Sequence, residues 1–145
     1  MRPATNSDVE FVWDLKLKTI AKYWPVEISI PHRYHYENFD VDGMWILQDK
    51  NLDVGVLALS FEDDRIHIDL VLVDPIYQGR GIGSQAIHHA KSMALDLNVP
   101  MTLQFHKSNP VQSFWEQNGF FVTAAKNDAY VDMKWSQHQE KYLQL

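Results

Sequence analysis

The sequence predicts an α+β fold: a central mixed, mostly antiparallel twisted sheet, flanked by helices and containing one β-α-β unit. Three observations carry this. Apolar runs between residues 44 and 73 are separated by short turns, as antiparallel neighbours require. A strand, a glycine loop, a helical stripe and another strand follow, which implies a right-handed crossover. Two more apolar runs near the end of the chain close as a hairpin.

The elements follow in order. Ser7-Asp8-Val9-Glu10 has the S-x-x-E form of a capping box and starts the first helix at Ser7. Val9, Val12, Trp13, Leu17 and Ile20 recur at helical spacing behind it, and Pro25 ends the helix near Trp24. A second short helix runs from Pro31 to about Phe39 and carries His32, Tyr34, His35, Tyr36 and Phe39. Met44 to Gln48 is a strand, closed by the turn Asp49-Lys50-Asn51; Val54 to Phe61 is the next. Arg65 to Val73 is the third, with Ile66, Ile68, Leu70 and Leu72 on one face and His67, Asp69, Val71 and Val73 on the other.

A helix from about Gly83 to Leu97 buries Ile82, Ala86, Ala90, Met93 and Leu97, and Asn98 stops it with a left-handed cap. Met101 to Phe105 is a strand. Asn109-Pro110 then opens a helix as cap and first position, and Gly119 ends it. Phe120 to Ala125 and Ala129 to Trp135 form the hairpin. Residues 1–135 read as a single domain, and residues 136–145 as a polar tail, either extended or a short helix.

Composition narrows the function. The chain has 145 residues, enough to bury roughly 70% of its unfolded surface without a staple. It has no cysteine, so disulfides, thiolate metal sites and cysteine nucleophiles are excluded. Thirteen basic against nineteen acidic residues give a net charge of -6, which argues against nucleic acid and mildly favours a cationic partner. No apolar run reaches the roughly 20 residues of a membrane span, and no signal-like segment is seen, so a cytoplasmic protein without a membrane partner is expected. Exposed strand edges and the tail make a homodimer plausible.

The informative segment is Gln78-Gly79-Arg80-Gly81-Ile82-Gly83-Ser84, between a strand and a helix. Glycines let backbone amides turn towards a ligand, and the helix start adds free N–H groups and the positive end of its dipole. That suits a phosphate, although glycines alone are equally compatible with a ligand-free turn. The segment is neither a Walker loop, since no Gly-Lys pair is present, nor a G-x-G-x-x-G dinucleotide fingerprint.

Gln78-Gly79-Arg80-Gly81-Ile82-Gly83 resembles the Q/R-x-x-G-x-G/A motif of the GNAT superfamily of N-acetyltransferases. Val73-Asp74-Pro75-x-Tyr77 looks like that family's approach to the loop. Asn109-Pro110, Phe114-Trp115-Glu116 and Gly119-Phe120 are similar to its later block, and Arg2-Pro3-Ala4-Thr5 with Asp8 to its opening.

The resemblance implies a GNAT-like fold and an acetyl-CoA-dependent transfer of acetyl to the amine of a small molecule or peptide. A non-catalytic CoA-binding module of the same fold is the alternative. It implies that Gln78, Gly79, Arg80, Gly81, Ile82, Gly83 and Ser84 hold the pyrophosphate of the cofactor. Arg80 either adds charge there or is a solvated loop cation. Val71, Leu72 and Val73 would meet the pantetheine arm, with the Val73 N–H on the thioester carbonyl. Asn109 would lie near the CoA arm, besides its reading as a helix cap.

Trp115 departs from the family, which commonly has a Tyr acting as general acid there. An indole offers only a hydrogen bond, and core packing also explains it. The base would come from the strand before the loop, as Asp69, directly or through water, or as His67. Another family position for a carboxylate falls on Gln104, which cannot be a base, and His106 lies nearby. The acceptor pocket would draw on Tyr23, Trp24, Tyr34 and Tyr36, with Phe39, Tyr130, Glu37, Asp40 and Asp42 nearby. No metal is expected: His88 and His89 point apart, and His32 with His35 would be only two ligands.

Overall fold

The computed structural model describes residues 1–24, 32–127 and 129–138. The expected helix stop at Pro25, the start at Pro31 and the tail beyond His138 lie outside these residues. The order is β1 (Arg2–Pro3), α1 (Val9–Thr19), α2 (His32–Glu37), β2 (Met44–Asp49), β3 (Leu52–Phe61) and β4 (Ile66–Val73). Then follow α3 (Ile82–Leu97), β5 (Met101–His106), α4 (Gln112–Gln117), β6 (Phe121–Asn127) and β7 (Tyr130–Trp135). The strands form one seven-stranded sheet in the order β1-β2-β3-β4-β5-β7-β6. The β4–β5 pair is parallel, and β1–β2, β2–β3, β5–β7 and β6–β7 are antiparallel. The α+β class read from the sequence is the observed one. Among the described residues no helix is long and apolar enough to cross a membrane.

The chain divides into two compact units. The first comprises residues 1–59 and 70–86, the second 60–69 and 87–145.

In the first unit, Ala4, Val12, Leu15, Met44, Ile46, Val56, Ala58 and Leu72 form a buried core, with Phe11, Ile20, Phe39, Val41 and Leu70 packed on it. The capping box falls earlier than the expected Ser7. The Asp8 carboxylate reaches back to the Thr5 backbone N–H (2.8 Å), and a 3-10 turn over Asn6–Asp8 precedes α1. Asp8 serves here because Arg2 clamps it with two hydrogen bonds of 2.9 and 2.7 Å. The first helix ends at Thr19 rather than near Trp24, and a 3-10 turn over Ala21–Tyr23 continues the chain. Leu17 was expected on its buried face but is 52% exposed, while Leu15 is buried. The β2–β3 turn needs the left-handed region at Lys50 (φ 50°) and Asn51 (φ 69°), which matches the short hairpin.

In the second unit, Ile66, Ile68, Ile87, Ala90, Ala94, Met101, Leu103, Met133 and Trp135 are buried. The α3 stripe thus differs from the expected one. Leu97 is 57% exposed, and Ile87 and Ala94 are buried instead, because the apolar face continues at i+4 from Gly83 through Ile87. Asn98, at φ 56°, ends α3 as expected. The α4 helix starts later than expected: its cap is Val111, without a side-chain hydrogen bond, so Asn109 is not the helix cap. His106, Lys107 and Ser108 instead form a turn in which the Asn109 N–H meets the His106 carbonyl at 2.9 Å.

Candidate functional site

In the first unit, β4 leads directly into the glycine loop. A bulge at Leu47/Gln48 in the β2–β3 ladder leaves Val54 out of register. The Val54 carbonyl accepts from the Asp74 N–H at 2.8 Å and so ties the end of β4 to β3. Gly55 allows this approach: a Cβ there would lie 2.5 Å from the Leu72 carbonyl oxygen. Asp74 then caps a 3-10 turn over Pro75–Tyr77 by accepting from the Ile76 N–H at 3.1 Å. That backbone bond, with Lys18 3.1 Å away, holds the Asp74 carboxyl below its usual range.

The Gln78 side chain donates to the Val73 carbonyl at 3.0 Å, fastening the loop to the strand. Gly79 and Gly81 stand at φ +79° and +78°, with nothing within 4 Å of where a Cβ would be. The first N–H paired at the start of α3 is that of Gln85, to the Gly81 carbonyl at 3.0 Å. The amides of Ile82, Gly83 and Ser84 are the free donors that every helix start leaves. Arg80 sits over the Tyr77 ring (5.1 Å) and 3.3 Å from Asp49. Val71, Val73, Ile82 and Gly83 are half-buried, Gln78 to Gly81 and Ser84 are exposed, and Leu72 is buried in the core. This arrangement is a backbone cradle for an anion.

In the second unit, the β4–β5 ladder covers only Ile66↔Met101 and His67↔Thr102. Ile68 and Asp69 of β4, and Leu103 to His106 of β5, continue without that pairing. The His67 ring Nδ1 contacts the Thr102 hydroxyl at 2.8 Å. Ser60 donates its hydroxyl to Asp69 Oδ2 at 2.5 Å. Gln104 donates its amide to Asp132 Oδ1 at 2.9 Å. His106 Nδ1 accepts from the Ser108 N–H at 3.2 Å, and its ring meets Tyr130 edge-on at 5.5 Å. Trp115 is buried between Phe114 (5.1 Å) and Phe120 (5.2 Å), in edge-on contacts. Asn109 is half-buried, just before α4.

Back in the first unit, the aromatic residues around α2 gather on Trp13. Trp13 is 6.4 Å from Trp24, 5.1 Å from His32 and 5.2 Å from His35. Glu10 accepts from the Tyr36 hydroxyl and lies 3.4 Å from His32. Tyr34 is 55% exposed and Tyr36 43% exposed, while Tyr23 and Trp24 are half-buried. Glu37 is paired with Arg33 (2.7 Å), and Asp40 with the Asp42 N–H (2.9 Å).

His35 is buried. Its Nε2–H donates to the Val9 carbonyl at 2.8 Å, because a carbonyl can only accept. Its Nδ1 therefore accepts from the Lys16 ammonium at 3.2 Å. Burial, with Lys16 beside it, pushes His35 below its ordinary 6.5, and burial pushes Lys16 below 10.5. Sequence reasoning missed Trp13, Glu10 and Lys16 in this cluster, because they lie on α1, far from α2 in the chain. It also missed Asp132, which only the β5–β7 register brings opposite Gln104. Among the described residues no group of three or more His, Asp or Glu could hold a metal ion.

Fold and loop together define an α+β protein whose middle strand runs into a turn of two left-handed glycines followed by a helix start. The chain belongs to the acetyltransferase (GNAT) family, whose profile matches residues 13–120. It is 30% identical over 81 residues to the peptidyl-lysine N-acetyltransferase YjaB of Salmonella typhimurium, covering 55% of this chain and 51% of that relative. The matched region is thus about half the length of that curated relative. The fold is shared with the PaiA N-acetyltransferase of Thermoplasma acidophilum in complex with coenzyme A. That likeness has a TM-score of 0.74 at 16% identity, over 93% of this chain and 96% of the other. An acetyltransferase of Thermus thermophilus gives 0.74 at 19% identity, over 92% and 93%.

Proposed function

We propose that the chain is an acetyl-CoA-dependent N-acetyltransferase, moving acetyl to a primary amine of a small molecule or peptide by direct attack on the thioester. Family membership supports the class, and the YjaB relative is named for acetylation of a peptidyl lysine amine. The observation that carries the reading is the cradle, where Gly79 and Gly81 are left-handed and open and three helix-start amides follow. In this reading the amides from Gly79 to Ser84 receive the pyrophosphate, with Gln78 bracing the loop and Arg80 adding charge. The backbone of Val71, Leu72 and Val73 runs beside the pantetheine arm, and Asn109 lies near that arm. The Val73 N–H is the donor for the oxyanion.

The chemistry is then simple. Asp69, oriented by Ser60, takes the proton of the acceptor amine directly or through water, with His67 as the second candidate on the same strand face. The neutral amine attacks the thioester carbon. The tetrahedral intermediate gives its surplus N–H proton to water and expels the CoA thiolate, which water protonates. Trp115 supplies no proton, since an indole N–H does not ionise in the useful range. A thiol near pKa 8.5 leaves tolerably without help. Tyr23, Trp24, Tyr34 and Tyr36 line the acceptor side. The family match runs through both units, which supports reading residues 1–135 as one catalytic domain. A cytoplasmic location completes the reading, in keeping with the absence of cysteine.

Thermal unfolding with and without acetyl-CoA tests the cofactor. A ligand at 100 times its dissociation constant adds about 2.7 kcal/mol, and Gly81→Glu is expected to abolish the shift. No shift at millimolar acetyl-CoA would overturn the reading. Trp115 favours a second reading, a CoA-binding module without turnover. CoA release across a panel of primary amines separates the two.

A further inference from the structure

We infer that Lys18 is a positioning residue: through Asp74 it sets the direction in which the Val73 N–H points. This rests on the reading above, in which that N–H meets the thioester carbonyl. The N–H and C=O of one strand residue point to the same edge of the strand, and those of the next residue to the opposite edge. The Asp74 N–H donates to the Val54 carbonyl of β3 at 2.8 Å. The Leu72 carbonyl faces β3 as well, since a Cβ on Gly55 would lie 2.5 Å from its oxygen. The Val73 N–H and C=O therefore point to the other edge of β4. There the Val73 carbonyl accepts from the Gln78 side chain at 3.0 Å, and the N–H shares that edge. The two groups belong to the peptide planes Leu72–Val73 and Val73–Asp74, which meet at the Val73 Cα.

Asp74 is the residue on which this corner turns. Its carbonyl accepts from the Tyr77 N–H at 2.8 Å and its Oδ1 from the Ile76 N–H at 3.1 Å. Both bonds are local, so they move with the 3-10 turn as one body. Its Oδ2 reaches out of the turn and lies 3.1 Å from the Lys18 ammonium, in the last turn of α1. The Asp74 side chain is 16% exposed and that of Lys18 54%, and an ion pair with one member in water adds little to stability. It does fix an angle. Val12 and Leu15 bury α1 in the core of the first unit, so Lys18 extends from a firmly packed element. Without that ammonium the carboxylate turns towards water, Asp74 rotates, and the plane carrying the Val73 N–H tilts with it. A hydrogen bond weakens steeply as its angle closes. Removing an oxyanion donor costs about 10²- to 10³-fold in kcat, and tilting one costs a part of that, about tenfold.

Infrared difference spectra of bound acetyl-CoA, labelled with carbon-13 at the thioester carbonyl, read that donor directly. In the unaltered protein the carbonyl band is expected below that of free acetyl-CoA, because an accepted hydrogen bond weakens the C=O bond. In Lys18→Met the band is expected to move back towards the free value, while the thermal shift with acetyl-CoA persists. With Nα-acetyllysine amide as the amine, kcat is expected to fall about tenfold and KM for acetyl-CoA to stay nearly constant. Lys18→Arg keeps a cation at the same point and is expected to keep both band and kcat. Asp74→Asn can keep the Ile76 bond but loses the charge, so Lys18→Met is expected to add nothing to it. A lower urea midpoint in Lys18→Met with the band unmoved would mark a merely structural residue and overturns the inference. A band at the free value in the unaltered protein overturns it too, as does a Lys18→Met effect undiminished by Asp74→Asn. If no CoA is released with that amine, the band alone decides the inference, and the amine panel decides the transferase reading. If acetyl-CoA gives no thermal shift in the unaltered protein, both fall.

Discussion

The glycine cradle of the first unit and the polar strand face of the second are built from opposite materials. The cradle is backbone: two left-handed glycines, the amides of a helix start, and a strand held by Gln78 and Asp74. Its side chains matter little, and its φ angles matter greatly. The strand face is side chains: His67 on Thr102, Ser60 on Asp69, and Gln104 on Asp132. Its backbone is ordinary β, and its chemistry depends on which residues the register sets side by side. A backbone site recognises a shared chemical group; a side-chain site can be retuned one residue at a time.

That contrast can be broken from either end. The largest effect is expected at the strand face. Asp69→Asn should lower kcat by about 10²- to 10³-fold while the acetyl-CoA thermal shift persists. Steady-state CoA release and unfolding scans check this, and a larger loss in His67→Gln would move the base to His67. Gly81→Glu should do the reverse, removing about 2.7 kcal/mol of ligand stabilisation at 100 times the dissociation constant. Gly55→Ala tests the support beneath the cradle. Its Cβ would meet the Leu72 carbonyl oxygen at 2.5 Å, so urea unfolding should show a loss of about 2 kcal/mol.

The pH dependence of stability sharpens the comparison within the first unit. His35 is held below its ordinary 6.5 by burial, so the unfolded chain binds its proton more readily. Its contribution is complete above that value and declines as pH falls through it, until the folded group also takes a proton. Protonation would set Nδ1–H against the Lys16 ammonium and loosen α2 from α1. Arg2 holds Asp8 and Asp53 below the usual carboxylate range, so their contribution is complete above about pH 3.8 and lost further down. Urea midpoints across pH 3 to 8 should therefore fall in two steps, and His35→Gln should remove the upper one. The smallest effect is expected from Arg80→Ala. Its exposed pairing with Asp49 contributes little, and KM for acetyl-CoA should rise about two- to threefold.

Much of the fold was legible because its signals are local. The alternation Ile66, Ile68, Leu70, Leu72 marks β4, Asn98 takes the left-handed stop, and the glycines announce their turn. The misplacements share one cause. The Ser7 box lost to Asp8 because Arg2 and Thr5 hold that carboxylate, a contact made from β1. Asn109 looked like a cap from its Pro110 neighbour, yet the turn after His106 claimed it and α4 began beyond Val111. Leu97 fits a helical stripe by spacing, but the buried face passes through Ile87 and Ala94.

The acceptor side was the least legible. The aromatic residues of α2 could be named from the chain, but their gathering on Trp13 and Glu10 could not. Asp132 carries no signal of its own in the sequence; only the β5–β7 register sets it opposite Gln104.

Backbone chemistry is written in the chain itself: a glycine can adopt φ near +79° at little steric cost, as Gly79 does, and a helix start leaves its amides free in any fold. The loop, the family motif and the element order could therefore be read directly. Partnership between side chains far apart in sequence belongs to the tertiary structure. Gln104 meets Asp132, and Lys16 meets His35, only after strand register and helix packing have fixed their separation. Hydrogen bonds are short-ranged and directional, so no pattern along one segment can encode a partner that another segment delivers.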